Sequence, residues 1–93
     1  MGVYVKDPAA VVDYTVDWGA GYLSGETVSA SAFSIEPVET GGLAVDAAAS
    51  DGQTASVTLS GGLAGHTYRV TNHITTSGGR TDERSLTIRI MER

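Results

Sequence analysis

The sequence contains no cysteine, which closes off both a disulfide framework and a thiolate metal site. Such a composition suits a protein that folds in a reducing compartment. Aromatic residues are scarce: one Trp, one Phe and four Tyr in 93 positions, so the core must be built mainly from Val, Ile, Leu and Ala. Lysine occurs once, at Lys6, and no basic cluster accompanies it. With a net charge of −5 the chain lacks the electrostatic footprint of a nucleic-acid binder. No apolar run approaches the roughly 18 residues a membrane helix needs. Residues 1–8, Met-Gly-Val-Tyr-Val-Lys-Asp-Pro, have neither the basic start nor the apolar stretch of a secretion signal. Position 6 is Lys rather than Ser or Thr, which argues against myristoylation at Gly2. The expectation is a chain that is neither exported nor membrane-bound.

What is present is alternation. Tyr68, Val70, Asn72 and Ile74 share one parity, with Arg69, Thr71, His73 and Thr75 on the other. After Ser77-Gly78-Gly79-Arg80 the pattern resumes as Leu86, Ile88 and Ile90 against Ser85, Thr87, Arg89 and Met91. A period of two specifies strands with one buried face, and the glycines supply the reversal of a hairpin. Further strands are expected at Val11–Trp18, Glu26–Ile35, Leu43–Ala47 and Thr54–Ser60, with Val3–Val5 as an extra edge. Within the second of these, inward Val28, Ala30 and Ala32 give way to Phe33 and Ile35, a change of parity that predicts a β-bulge in an edge strand. Pro37 ends that strand, and Asp7-Pro8-Ala9-Ala10-Val11 is expected to form one capped turn. About seven short strands with turns every 8–12 residues predict an all-β antiparallel sandwich, in a single domain covering residues 1–93. A chain of this size buries only about 60–65% of its unfolded surface, so its core is thin.

Charge is distributed unevenly. Residues 1–65 hold eight acidic groups against Lys6, net −7, whereas residues 66–93 hold five arginines against Asp82, Glu83 and Glu92, net +2. Either the arginines lie solvated on the polar face of the hairpin, or acidic and basic surfaces of neighbouring copies meet in an assembly.

Catalytic chemistry has little to work with. His66 falls in a loop and His73 on a polar parity, and both read as surface histidines. No nucleophile elbow, zinc-protease helix or phosphate-cradling glycine pattern occurs. Asp13 and Asp17 lie about 13 Å apart along one strand face, too far for a glycosidase pair. Asp46 to Gly52 lacks the alternating carboxylates of a calcium loop. No catalytic residue, metal site or cofactor is expected. Tyr14 and Trp18 share the parity of Val12 and Val16 and read as core residues. The competing reading exposes Trp18 beside Gly19-Ala20-Gly21-Tyr22, where Trp18 and Tyr22 would stack on a sugar or a host protein. Arg80, Asp82, Glu83 and Arg84 form a compact charged group at the start of the last strand.

Two stretches carry resemblances. Gly65-His66-Thr67-Tyr68-Arg69-Val70 and the hairpin after it resemble the late strands of immunoglobulin-like or fibronectin-like sandwiches without a disulfide, in which a tyrosine hydroxyl pins the corner. Lys6 to Trp18, with Tyr68–Asn72 and Thr75–Ser85, resembles a family of small tailed-phage and prophage proteins labelled fibre–tail adaptors. The likeness covers both ends of the chain, with residues 36–56 matching loosely. It implies a virion structural or adaptor protein of the neck or tail, folded and assembled in the bacterial cytoplasm. The implied partners are other phage structural proteins and further copies of the chain, through a ring-like contact. The candidate contact residues are Arg80, Asp82, Glu83 and Arg84 at the hairpin tip, together with the Asp13/Asp17 face. The alternative is a stand-alone immunoglobulin-like module that binds a carbohydrate or a host protein.

Overall fold

The computed structural model of the chain describes residues 3–19, 23 and 25–92. Seven strands account for its regular structure: β1 (Val3–Lys6), β2 (Val12–Asp17), β3 (Val28–Glu36), β4 (Leu43–Ser50), β5 (Thr54–Gly61), β6 (Thr67–Thr76) and β7 (Thr81–Ile90). They form a four-stranded sheet in the order β1-β7-β6-β3 and a three-stranded sheet in the order β2-β5-β4. Every pairing is antiparallel except that of β1 with β7. The orders β2-β5-β4 and β3-β6-β7 correspond to the B-E-D and C-F-G orders of immunoglobulin sandwiches, with the first strand carried on the four-stranded sheet.

The alternation read from sequence is the alternation of burial. In β5 the inward Ala55, Val57 and Leu59 are buried while their neighbours are partly exposed. In β6 Tyr68, Val70, Asn72, Ile74 and Thr76 are all buried, and they face Leu86, Ile88 and Ile90 of β7 on the same inner side. The resulting interior has two lobes. One gathers Leu43, Val57, Leu59, Tyr68, Val70, Leu86, Ile88 and Ile90. The other gathers Val16, Trp18, Val28, Ala55 and Ile74. Phe33 packs against both lobes and joins them. Each fully buried Ile or Leu contributes roughly 1.5–3 kcal/mol by leaving water, which is how so few aromatics suffice.

Two inter-sheet ties are polar. The single lysine is one of them: Lys6 is only 1% exposed, and its Nζ donates to the Gly61 carbonyl at 2.7 Å and the Asp7 carbonyl at 2.9 Å. It thereby joins the end of β1 on one sheet to the end of β5 on the other. Burial lowers its pKa below that of an ordinary lysine, with the charges of Asp7 and Asp46 opposing that shift. The second tie is Trp18, fully buried, whose indole N–H donates to Asn72 Oδ1 at 2.8 Å. The Asn72 amide in turn donates to Ser31 Oγ at 2.8 Å and to the Ala32 carbonyl at 3.1 Å, so a polar residue on the apolar parity is fully satisfied.

The corner and the hairpin are locally determined. Tyr68 is buried at the start of β6, and its hydroxyl accepts from the Leu63 N–H at 3.2 Å and donates to Glu39. The loop it pins passes Gly62, whose φ of +103° and close approach to Ile90 leave no room for a side chain: an added Cβ would lie 2.6 Å from Ile90 Cδ1. The hairpin closes with Thr76 N–H donating to the Arg80 carbonyl at 2.7 Å, and Gly79 adopts a φ of +83°. At the other end of the chain, Ala10 N–H donates to the Asp7 carbonyl and Ala9 N–H to Asp7 Oδ1, giving the expected capped turn.

Three details differ from the sequence reading. The bulge in β3 lies between Val28 and Ala30, ahead of Ala32, so Ala30 and Ala32 face outward and Ser31, Phe33 and Ile35 face inward. Small alanines fit either side of a strand, so they could not mark the parity. Strand β4 runs to Ser50 rather than Ala47 and carries its own bulge between Val45 and Ala47. Its run of alanines has no alternation to read. Trp18 is a core residue and its indole is closed to any ligand; the Tyr22 proposed to act with it lies outside the described residues.

Candidate partner-binding surfaces

The hairpin-tip group does not form one surface. Arg80 follows the turn, and its Nη2 lies 3.1 Å from Glu26 Oε2, on the segment leading into β3. Glu26 also accepts from the Thr76 hydroxyl at 2.5 Å. These bonds, led by Thr76 and followed by Arg80, hold the Glu26 carboxyl below its ordinary pKa against the opposing effect of desolvation. Asp82 accepts from the Glu83 N–H at 2.7 Å and is otherwise exposed. Glu83 lies opposite His73 on the outer side of the sheet, with Oε2 3.0 Å from His73 Nδ1.

Arg84 faces the other way. It shares the parity of Leu86 and Ile88, is only partly exposed, and pairs with buried Asn72. Its guanidinium lies 4.3 Å from the Trp18 ring centroid, and Nη1 donates to the Asp17 carbonyl at 3.1 Å. Arg84 therefore caps the Trp18 lobe of the core. The signal for this was present in the sequence: the parity of Leu86 and Ile88, continued back two positions, falls on Arg84.

The Asp13/Asp17 face is coherent. Both side chains are exposed on the outward side of β2, flanking Thr15. Asp13 accepts from the Thr58 hydroxyl at 2.5 Å, Thr15 and Ser56 hydroxyls lie 3.3 Å apart, and Asp46 on β4 accepts from Ser60 at 2.7 Å. The three strands of this sheet contain Asp13, Asp17 and Asp46 and not one lysine or arginine. The strands of the opposite sheet carry Lys6, Arg69, Arg84 and Arg89. With Lys6 buried and Arg84 capping Trp18, the cations on that sheet's outer side are Arg69 and Arg89, both exposed, and Glu36 and Glu83 share that side. Sequence reading placed the charge asymmetry between two segments of chain; the fold sets a purely acidic face against one of mixed charge.

A second cluster, which sequence reading missed, closes the far end. Glu39 receives the Tyr68 hydroxyl and lies 2.9 Å from His66 Nδ1. Its carboxyl is held below the usual range first by Tyr68 and then by His66, while burial and Glu39 raise the Tyr68 phenol. Glu39 sits on the loop between β3 and β4, 27 residues before its histidine, and only the folded chain brings them together. These contacts tie the β3–β4 loop to the start of β6. Among the described residues no group of three or more His, Asp or Glu side chains is placed to hold a metal ion.

No curated protein matched the chain in a sequence comparison. A family model does match, over residues 6–89, which is nearly the whole length: the family described as podophage GP4 fiber-tail adaptor protein gp77. The match spans the chain from the end of β1 almost to the end of β7, and this chain belongs to that fiber-tail adaptor family.

Proposed function

We propose that the protein is a non-enzymatic component of the virion that acts at the neck or tail, as one immunoglobulin-like unit, by protein–protein contacts alone. Membership in the adaptor family supports the structural role and the place in the particle. The observation that carries the mechanism is the difference between the two outer faces: one bears Asp13, Asp17 and Asp46 without a cation, and the other presents Arg69 and Arg89 alongside Glu36 and Glu83. An adaptor needs two surfaces that do not compete, and opposite faces of a sandwich provide them. The aspartates of one copy can meet Arg69 and Arg89 of the next in a heterologous contact, which closes into a ring where the rotation permits.

Within this reading Asp13 and Asp17 remain contact residues, as do Asp82 and Glu83 at the tip. Arg80 and Arg84 support the tip from within by holding Glu26 and Trp18. Particles produced without this chain should keep their tails and lose their fibres, as seen by electron microscopy. Fibres present at normal occupancy on such particles would rule the adaptor role out.

A further inference from the structure

Of the four sheet edges, β4 is the least guarded. Strand β1 has four residues, β2 has six with two aspartates, and β3 bears a bulge near its start and Glu36 before Pro37. Strand β4 has eight residues, pairs only with β5, and is exposed at every position after Leu43. Its sole charged side chain, Asp46, sits at the bulge and is bonded to Ser60. Beyond it runs Ala47-Ala48-Ala49-Ser50, with no side chain large enough to obstruct an incoming chain. Successive backbone N–H and C=O groups of a strand point to alternate sides, so about half of those in β4 face away from β5. Among the described residues no other segment pairs with that edge.

The inward side of β4 is open as well. Val45 and Ala48 share the inward parity of Leu59 and Val57, yet Val45 is 38% exposed and Ala48 is exposed too. Phe33 and Ile35 on the neighbouring edge strand β3 also remain partly exposed. An apolar seam therefore runs beside a row of unsatisfied backbone groups. Only an extended segment answers both features at once, with its main chain on the β4 ladder and alternate side chains over the seam.

Resting on the adaptor reading, we propose that β4 is a strand-addition site for an extended segment of a different virion protein. That segment is apolar at alternate positions and neutral or basic at the others. Charge argues against a second copy as the occupant. Pairing β4 with another β4, with β2 or with β3 would bring together edges that carry only Asp or Glu, and β1 offers four residues to an edge of eight, in a chain of net charge −5.

The test uses the full-length chain and particles from the parent phage made without it, with incorporation and backbone hydrogen exchange as readouts. Ala48→Lys sets a charge on the inward side of the seam, tolerable in the free chain and buried under an added strand; Ala48→Thr is the uncharged control. The expected result is that the β4 amides facing away from β5 exchange freely in the isolated chain and at least roughly tenfold more slowly on the particle. Ala48→Lys should melt like the parent and incorporate at least roughly tenfold less, while Ala48→Thr incorporates normally. Normal incorporation of Ala48→Lys with β4 still unprotected would overturn the edge proposal and leave the adaptor reading intact. Protection of those outward amides in the isolated chain, with dimers in sedimentation, would assign the edge to a second copy and overturn the proposed occupant. Failure of the parent chain itself to bind the particles would overturn the adaptor reading, and this inference with it.

Discussion

The β6–β7 hairpin and strand β4 have similar strand lengths and opposite fates. The hairpin places Tyr68, Val70, Ile74, Leu86, Ile88 and Ile90 in the interior, each at most 3% exposed. Strand β4 buries Leu43 alone and leaves the other seven residues in solvent. A small sandwich with a thin core concentrates its stability in a few strands. What the comparison teaches is a division of labour: β6 and β7 hold the fold, and β4 is free to be shaped by something outside it.

The largest effect should come from cutting into the hairpin. Ile88→Ala removes a fully buried side chain at the centre of one lobe and should cost about 2–5 kcal/mol in urea unfolding. The matching change in β4, Ala49→Thr, should stay within about 0.5 kcal/mol of the parent. A β4 substitution that rivals Ile88→Ala would break the division.

Next comes the tie between the sheets. Asn72→Ala strips the buried Trp18 indole N–H of its acceptor and the part-buried Ala32 carbonyl of a donor. The expected loss is about 1–3 kcal/mol, with a shift in Trp18 fluorescence that reports the same site. Tyr68→Phe should cost less, about 1 kcal/mol, because it removes one acceptor from the Leu63 amide. That variant also sharpens the pH response. Glu26, Glu39 and Asp51 all have carboxyls lowered in the folded state, so each contributes stability that is whole above the unfolded carboxylate pKa. That stability disappears as pH falls through the depressed values. The parent should therefore weaken between neutral and acidic pH, and Tyr68→Phe, lacking the main cause of the Glu39 shift, should weaken less steeply over the same range.

Among the ties of the interior, the smallest effect is expected at the tip. Arg84→Gln removes the guanidinium from Trp18 while keeping the stem, and should cost about 0.5–1 kcal/mol. An incorporation defect much larger than that destabilisation would move Arg84 from a supporting role to a contact.

How much of this was legible in the sequence follows from the same contrast. Strong alternation in Val12–Asp17, Thr54–Gly61 and the hairpin made these strands readable, since large side chains reveal which side is inward. The alanines of β3 and β4 reveal nothing, so the bulge was placed too late in one and the other ended too soon. The tip residues read as one charged group because they are adjacent in sequence, although in a strand adjacent residues face opposite sides. Glu39–Tyr68–His66 and Lys6–Gly61 were invisible for a different reason: their partners are far apart in the chain, and topology alone joins them. The phage family, by contrast, was readable from Lys6–Trp18 and the hairpin, the segments whose pattern the fold depends on most.

An adaptor of this kind must be a fixed part of the particle. Quantitative mass spectrometry of purified, intact particles measures this directly. The account predicts a constant copy number from one preparation to the next, at a value consistent with a symmetric ring. Absence of the chain from intact particles, with ample protein remaining in the lysate, would contradict it.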